Sequence, residues 1–149
     1  MRMHFEDFEI GQTFELGSRT LSKEEMLAFA NEFDAQPFHV DEEAAKNSMY
    51  GGLIASGWHT GSVLMGLLAK GLLNRSTSQG APGLEQVRWF KPVYPGETLD
   101  GFTTVEDTKV SKSKPHLGLV LMTHELRNGN GDTVVRVNCW GIFTRRGHD

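Results

Sequence analysis

At 149 residues the chain has the length of one folded domain, and we predict a single domain over residues 1–149. Its hydrophobic share of 38%, together with charges of both signs, excludes a disordered chain. The formal net charge of −4 gives no general attraction to nucleic acid or to an anionic membrane, so we expect small molecules or proteins as partners.

The first part of the chain predicts one strand followed by one helix. Apolar and polar residues alternate over residues 8–16 around Gly11, which indicates a strand or an extended lead-in. Ser22 and Glu25 then form the pattern of a capping box, in which each side chain binds the backbone of the other residue. This pattern predicts that a helix begins here, and apolar residues at helical spacing follow it.

The segment from Asp34 to His39 places two proton-carrying side chains close together. Pro37 disfavours helical geometry at the residue before it, so we expect the preceding helix to end near Asp34. His39 is then predicted to lie on the loop beyond, before a short helix over residues 41–46. A carboxylate and an imidazole on one short segment suit general acid–base chemistry.

Residues 58–73 are apolar on nearly every side, which predicts a helix that is enclosed all round by the rest of the fold. Sixteen residues make a helix of about 24 Å at 1.5 Å per residue. Strands of eight to ten residues span about the same distance. A curved sheet of such strands is able to enclose this helix.

The remainder of the chain predicts strands. Turn sequences at Pro95–Gly96 and at residues 128–131 separate them, and the second is a strong hairpin signal. Consecutive hairpins make an antiparallel sheet, so we predict an α+β fold with one long central helix wrapped by that sheet. The predicted strands cover residues 84–93, 97–110, 117–126 and 133–144.

Three residues match a specific motif, whose pattern is Asp, any residue, Asn, Pro, any residue and His. They are Asp34, Pro37 and His39. Residues 52–57, just before the central helix, and residues 90–97 also match in order and spacing. In these features the chain resembles the MaoC-like family of R-specific enoyl-CoA hydratases and dehydratases, and the resemblance implies the hot-dog fold of that family.

The resemblance implies a carbon–oxygen lyase, which adds water to 2-enoyl-CoA thioesters or removes it from (R)-3-hydroxyacyl-CoA thioesters. Asp34 and His39 are then expected to hold the water and share the proton transfers. The Gly57 N–H, at the start of the central helix, is expected to bind the thioester oxygen. Relatives pair their sheets, so we expect a homodimer or higher oligomer. Coenzyme A enters as part of the substrate, and no cofactor is expected.

Two positions depart from the family pattern, and a third reshapes the expected acyl pocket. Gln36 stands where the family has Asn, Ser56 where many relatives have His, and Trp58 where a smaller apolar residue is usual. Ser56 is also expected to cap the central helix. The residues expected to contact substrate are Gln36, Pro37, Phe38, Ser56, Trp58, His59 and Met65.

Other functions are weaker matches to the sequence. No pair of histidines on one element has metal-ligand spacing, so we expect no metal at His39, Asp41 or His59. The first residues lack the apolar stretch of a signal peptide, and the single Cys139 has no partner for an internal disulfide. We therefore expect a cytoplasmic protein.

Two alternatives use the same fold without the hydratase reaction. A hot-dog thioesterase drives water at the thioester carbonyl, but residues 58–73 contain no Asp or Glu to serve the versions that use an acid on the central helix. A non-catalytic acyl-thioester binding module is the other alternative. The presence of both Asp34 and His39 argues against it.

Overall fold

The structure is a computed structural model, and it describes residues 2–148. Two single 3₁₀ turns, Phe5–Asp7 and Leu73–Arg75, accompany the main elements. None of the helices in the described residues is both long enough and apolar enough to cross a membrane. The helices are α1 (Lys23–Phe33), α2 (Pro37–Val40), α3 (Glu42–Lys46) and α4 (Gly57–Gly71), and the strands are β1 (Thr13–Thr20), β2 (Gln86–Trp89), β3 (Thr98–Val110), β4 (Leu117–Arg127) and β5 (Thr133–Thr144).

The five strands form one antiparallel sheet in the order β1-β3-β4-β5-β2. The predicted hairpin turn joins β4 to β5, where the Asn128 side chain accepts hydrogen bonds from the backbone N–H groups of Asn130 and Asp132. Gly131 supplies the positive φ of 80° that this turn requires. Every second residue of β4 is buried, so one face of the sheet is directed at the core.

Helix α4 covers the inner face of the sheet and contacts β1, β3 and β4. The approach to β1 is very close at Gly71, where a Cβ atom would lie 2.9 Å from the Leu16 backbone. The expectation that α4 is enclosed on all sides is wrong. Trp58 is 62% exposed and Met65 50% exposed, because the sheet of one chain covers only one side of the helix.

Several predicted boundaries differ from the structure. Gly11, with a φ of 90°, belongs to a turn, so β1 begins two residues later and runs beyond the predicted residues 8–16. The strand predicted over residues 84–93 is reduced to β2. After β2, Phe90 still donates to the Val134 carbonyl, but Pro92 has no N–H with which to continue the ladder.

Candidate active site

Asp34 lies at the C-terminal end of α1, as predicted. The Ser22 hydroxyl caps the first turn of this helix, and the Glu25 carboxylate accepts from the Ser22 N–H in return. At the other end, the Asp34 N–H donates to the Ala30 carbonyl, and the Asp34 backbone then leaves helical geometry. The helix therefore delivers a carboxylate to the point where the chain turns.

His39 lies on a helical turn, and the expectation that it occupies a loop is wrong. Pro37 ends α1 but also begins α2, since a proline at the first helical position loses no hydrogen bond. The His39 side chain is buried, and its Nδ1 lies 2.8 Å from the Ile54 carbonyl oxygen. A carbonyl only accepts hydrogen bonds, so Nδ1 carries a proton. The other ring nitrogen, Nε2, lies 3.3 Å from Asp34 Oδ2.

Each oxygen of the Asp34 carboxylate accepts a separate hydrogen bond. Gln36 Nε2 donates to Oδ1 over 2.6 Å, and the Ser56 hydroxyl donates to Oδ2 over 2.6 Å. Partial burial on its own raises the pKa of Asp34, but these two hydrogen bonds and the nearby His39 outweigh burial and lower the pKa below its usual value. Asp34 is therefore an ionised carboxylate at neutral pH.

The first turn of α4 brings backbone amides to the same place. Ser56 caps this helix as predicted, because its Oγ accepts from the Trp58 N–H over 3.3 Å. The Gly57 N–H donates to no protein acceptor within residues 2–148. A free amide at a helix N-terminus suits a partial negative charge on a ligand.

Trp89 packs over the first turn of α4, and this contact was not predicted from the sequence. Its indole Nε1 donates to the Gly57 carbonyl over 2.9 Å. A Cβ atom at position 57 would lie 2.8 Å from the Trp89 ring, so glycine is required here by the indole that packs over it. The only sequence signal was an aromatic residue inside a predicted strand, and 32 residues separate the two partners.

A cleft of about 500 Å³ unites the acid–base pair with the start of α4. Three predicted catalytic residues line it together, and so do three of the predicted substrate-contacting residues. Within residues 2–148, no group of three His, Cys, Asp or Glu side chains is placed to hold a metal ion. The predicted residues that line the cleft are Asp34, Gln36, Phe38, His39, Gly57 and Trp58.

The other predicted substrate contacts lie elsewhere. Ser56 is fully buried and reaches the site only through Asp34. Pro37 is exposed at the start of α2 and does not line the cleft. His59 is directed away from the cleft and stacks on Phe29 of α1, with ring centroids 4.6 Å apart. Met65 lines a second cavity.

This second cavity, of about 450 Å³, lies between α4 and the inner face of the sheet. Its walls are mainly apolar side chains of α4, β4 and β5. Trp58 and Trp89 line both the cleft and the cavity, and their rings meet edge to face with centroids 5.4 Å apart. The acid–base pair and the apolar cavity therefore adjoin each other at this indole pair.

The sequence profile of the family described as MaoC like domain matches residues 6–126. The chain belongs to the MaoC-like family. It is 35% identical over 119 residues to the uncharacterised protein YdeM of Bacillus subtilis, a match that covers 79% of this chain and 82% of YdeM.

Solved structures agree with the predicted fold. The MaoC-like dehydratase from Rhodospirillum rubrum is 38% identical, with a TM-score of 0.90 over 97% of this chain and 98% of that one. The R-hydratase PhaJ1 from Pseudomonas aeruginosa is 23% identical, with a TM-score of 0.76 over 97% and 86% of the two chains. The prediction of an α+β hot-dog fold in this MaoC-like chain is confirmed.

The Ser56→Ala substitution removes both the donor to Asp34 Oδ2 and the cap of α4. We expect the pKa of Asp34 to rise above its wild-type value, because one of the hydrogen bonds that favour the charged form is lost. The free energy of unfolding at pH 7 should fall by about 1–2 kcal/mol, a cost typical of a lost N-cap. Carbon-13 NMR titration of the Asp34 carboxyl and urea denaturation measure the two effects.

The pH dependence of this variant has a definite sign. Because folding lowers the pKa of Asp34, the carboxylate stabilises the fold above its unfolded-state pKa, and this contribution disappears as the pH falls through the folded-state pKa. The stability deficit of Ser56→Ala should therefore shrink in acid. Ser62→Ala is the matched control, since Ser62 donates to the Trp58 carbonyl on the same helix. An Asp34 pKa that both variants leave unchanged would contradict the assigned hydrogen bond.

Proposed function

We propose that this MaoC-like chain is a hydratase or dehydratase of acyl-CoA thioesters, which adds water to 2-enoyl-CoA or removes it from (R)-3-hydroxyacyl-CoA. One observation carries the proposal: Asp34, His39 and the Gly57 N–H line a single cleft. Water addition to a conjugated thioester needs a proton acceptor, a proton donor and a site for the negative oxygen, and these three groups match those needs. The 38% identical Rhodospirillum relative is described as a MaoC-like dehydratase, which supports the same reaction class.

His39 and Asp34 each present a hydrogen-bond acceptor, and together the two acceptors are able to orient one water molecule. The contact with the Ile54 carbonyl keeps a proton on Nδ1 of His39, so in the proposed reactive form the lone pair of the ring lies on Nε2. Asp34 Oδ2, 3.3 Å away, is also an acceptor. A water that donates one proton to each group has its own lone pairs free for attack on carbon. Because Asp34 and His39 lie side by side in one cleft, we expect the hydroxyl group and the proton to be delivered to the same face of the substrate.

The proton route follows from the charge on Asp34. Its carboxylate is held ionised by Gln36 and Ser56, so we assign Nε2 of His39 as the group that takes the proton from water as the oxygen bonds to the β-carbon. The electron pair of the double bond moves towards the thioester oxygen, and the imidazolium then returns its Nε2 proton to the α-carbon. Asp34 stabilises the imidazolium between these two steps.

The developing negative oxygen needs a donor that is already in place. The Gly57 N–H has no protein acceptor within residues 2–148, and Ser56 and Trp89 fix the turn that presents it. Removal of one such donor in other enzymes lowers kcat by about 10² to 10³. Water addition changes no net oxidation state, so the proposed reaction uses coenzyme A within the substrate and needs no redox cofactor.

The apolar cavity is the proposed place for the acyl chain. It adjoins the cleft at Trp58 and Trp89, and Met65 of α4 forms part of its wall. Each methylene buried there is worth about 0.8 kcal/mol. Acyl chains that extend past the indole pair would therefore gain affinity from this cavity, whereas a four-carbon chain stays on the side of Asp34.

Asp34→Asn and His39→Ala test the proposed chemistry. We expect each variant to lower kcat for hydration of crotonyl-CoA by about 10² to 10⁴, the usual contribution of a general acid or base. Loss of enoyl absorbance reports the rate. Asp107→Asn and His116→Ala, which alter exposed residues outside the cleft, are matched controls and should retain wild-type kcat.

Four results would contradict the proposed reaction. The wild type could turn over no enoyl thioester of any length, or the two cleft variants could match it. Thermal stabilisation by crotonyl-CoA without product would instead favour a binding module. Release of free thiol from acyl-CoA would favour a thioesterase.

Met65→Trp tests the acyl cavity, because a larger ring at this position fills space on the cavity wall. We expect kcat/KM for oct-2-enoyl-CoA to fall about tenfold or more, the effect of losing two buried methylene contacts, with a much smaller change for crotonyl-CoA. Ile10→Trp places the same ring at an exposed position outside both cavities. Equal losses on both substrates would place the acyl chain elsewhere.

A homodimer or larger homo-oligomer is part of the proposal. Trp58, Met65, Leu84 and Trp89 are all at least 43% exposed, and together they surround the apolar cavity beside β2, an edge strand of only four residues. An exposed apolar cluster next to an open sheet edge is a surface that a second copy of the chain would cover. Light scattering at working concentration should therefore give at least twice the 16.6 kDa mass of one chain. A monomer would refute this part.

A further inference from the structure

The inner face of the sheet carries one polar pair among apolar residues. Along β4 the buried residues with side chains are Val120, Met122, His124 and Leu126, so a histidine occupies a position where its neighbours are aliphatic or thioether side chains. Directly opposite on β3 lies Thr103, which is fully buried. Its Oγ1 is 2.7 Å from His124 Nδ1. The proposed mechanism uses neither residue.

Thr103 provides a hydrogen-bond partner for only one of the two ring nitrogens of His124. Burying a polar atom without a hydrogen bond costs free energy, and Thr103 meets that need for Nδ1 alone. Within residues 2–148, the His124 ring makes no other side-chain hydrogen bond. His124 also forms part of the wall of the apolar cavity beside Met122. The Nε2 atom is therefore the polar atom of this ring that remains available to a ligand in the cavity.

The residues that line the cavity around His124 favour an uncharged ligand. Among the residues that line the cavity, the titratable ones are His124 and Cys139, and no Asp, Glu, Lys or Arg is present. Burial lowers the pKa of His124 to about 4, so the ring is neutral at neutral pH. A carboxylate or an ammonium group in this cavity would lose its hydration without gaining a counter-ion. A hydroxyl group can donate or accept, and so it matches Nε2 in either tautomer.

We propose that His124 is a specificity-determining residue, whose Nε2 binds a hydroxyl group on the acyl chain of a thioester substrate that occupies the apolar cavity. This inference rests on the proposed function and names its substrate class: 2-enoyl thioesters with a hydroxyl group beyond the reacting carbons. An acyl chain without this hydroxyl fills the cavity but leaves Nε2 without a partner.

Turnover of matched substrate pairs tests the inference. The pairs are 2-enoyl-CoA thioesters of six, eight and ten carbons, each with and without a terminal hydroxyl group. At one chain length or more, we expect wild-type kcat/KM to favour the hydroxylated member by about tenfold. His124→Leu should lose this preference. Thr103→Val disturbs the same buried pair but keeps Nε2, so it should retain the preference.

The outcomes separate recognition from a structural role. If the pair only supports the fold, His124→Leu and Thr103→Val will both lower stability, but each will keep the substrate preference of the wild type. The inference then fails. Equal kcat/KM for both members of every pair in the wild type also overturns it. The wild-type preference needs no variant, so a His124→Leu protein that does not fold leaves the inference testable.

A binding measurement keeps the inference distinct from the proposed reaction. In protein labelled with ¹⁵N-histidine, 1-hexanol should shift the Nε2 resonance of His124, whereas 1-chlorohexane, of similar size, should shift it much less. If no thioester is turned over but this difference is seen, the proposed reaction fails and recognition by His124 stands. Equal shifts with both probes would refute recognition, whatever the turnover result.

Discussion

The candidate site depends on the hydrogen bond between Ser56 and Asp34, which joins the start of α4 to the end of α1. The Ser56 hydroxyl gives its single proton to Asp34 Oδ2 and still accepts from the Trp58 N–H, since one hydroxyl can do both. The two residues are 22 positions apart in the chain. This bond therefore fixes the carboxylate relative to the free amide of Gly57. His39 is anchored separately, by the Ile54 carbonyl just before the same helix.

The negative charge of Asp34 is disfavoured by α1, the helix that carries it, and favoured by α4, the helix that it contacts. A carboxylate at the C-terminal end of α1 meets the negative end of that helix dipole, which disfavours its charge. The contact with Ser56 brings it to the N-terminal end of α4, where the dipole is positive. Together with the hydrogen bond from Gln36, this placement keeps the charge on Asp34 despite partial burial. The assembly of the two helices, rather than either one alone, determines the ionisation of the site.

Local signals in the sequence predicted the parts of the site that depend on near neighbours. The capping box at Ser22 and the proline at position 37 placed Asp34 at the end of α1, and the 128–131 turn gave the β4–β5 pairing. The contacts that span long stretches of chain were not predictable in this way. Nothing in the spacing indicates that Trp89 packs on Gly57, where a Cβ atom would lie 2.8 Å from the indole ring. The apolar sequence of α4 also gave no sign of which side the sheet leaves open, because a helix that is covered by its own sheet and one that is covered by a second chain need the same residues.

The departures from the family pattern at positions 36 and 56 both contact the Asp34 carboxylate. Gln36 donates to one oxygen of Asp34 and Ser56 to the other. Glutamine in place of the family's Asn, and serine in place of the His of many relatives, are both explained by these contacts with the carboxylate. Both donors are uncharged and neither can release its proton at neutral pH. His39 is the one charged or titratable partner that influences the Asp34 pKa. A histidine at position 56 would have added a second titratable ring beside Asp34. With serine there, His39 is the only imidazole that lines the cleft within residues 2–148, and in the proposed reaction it serves as both the base and the acid.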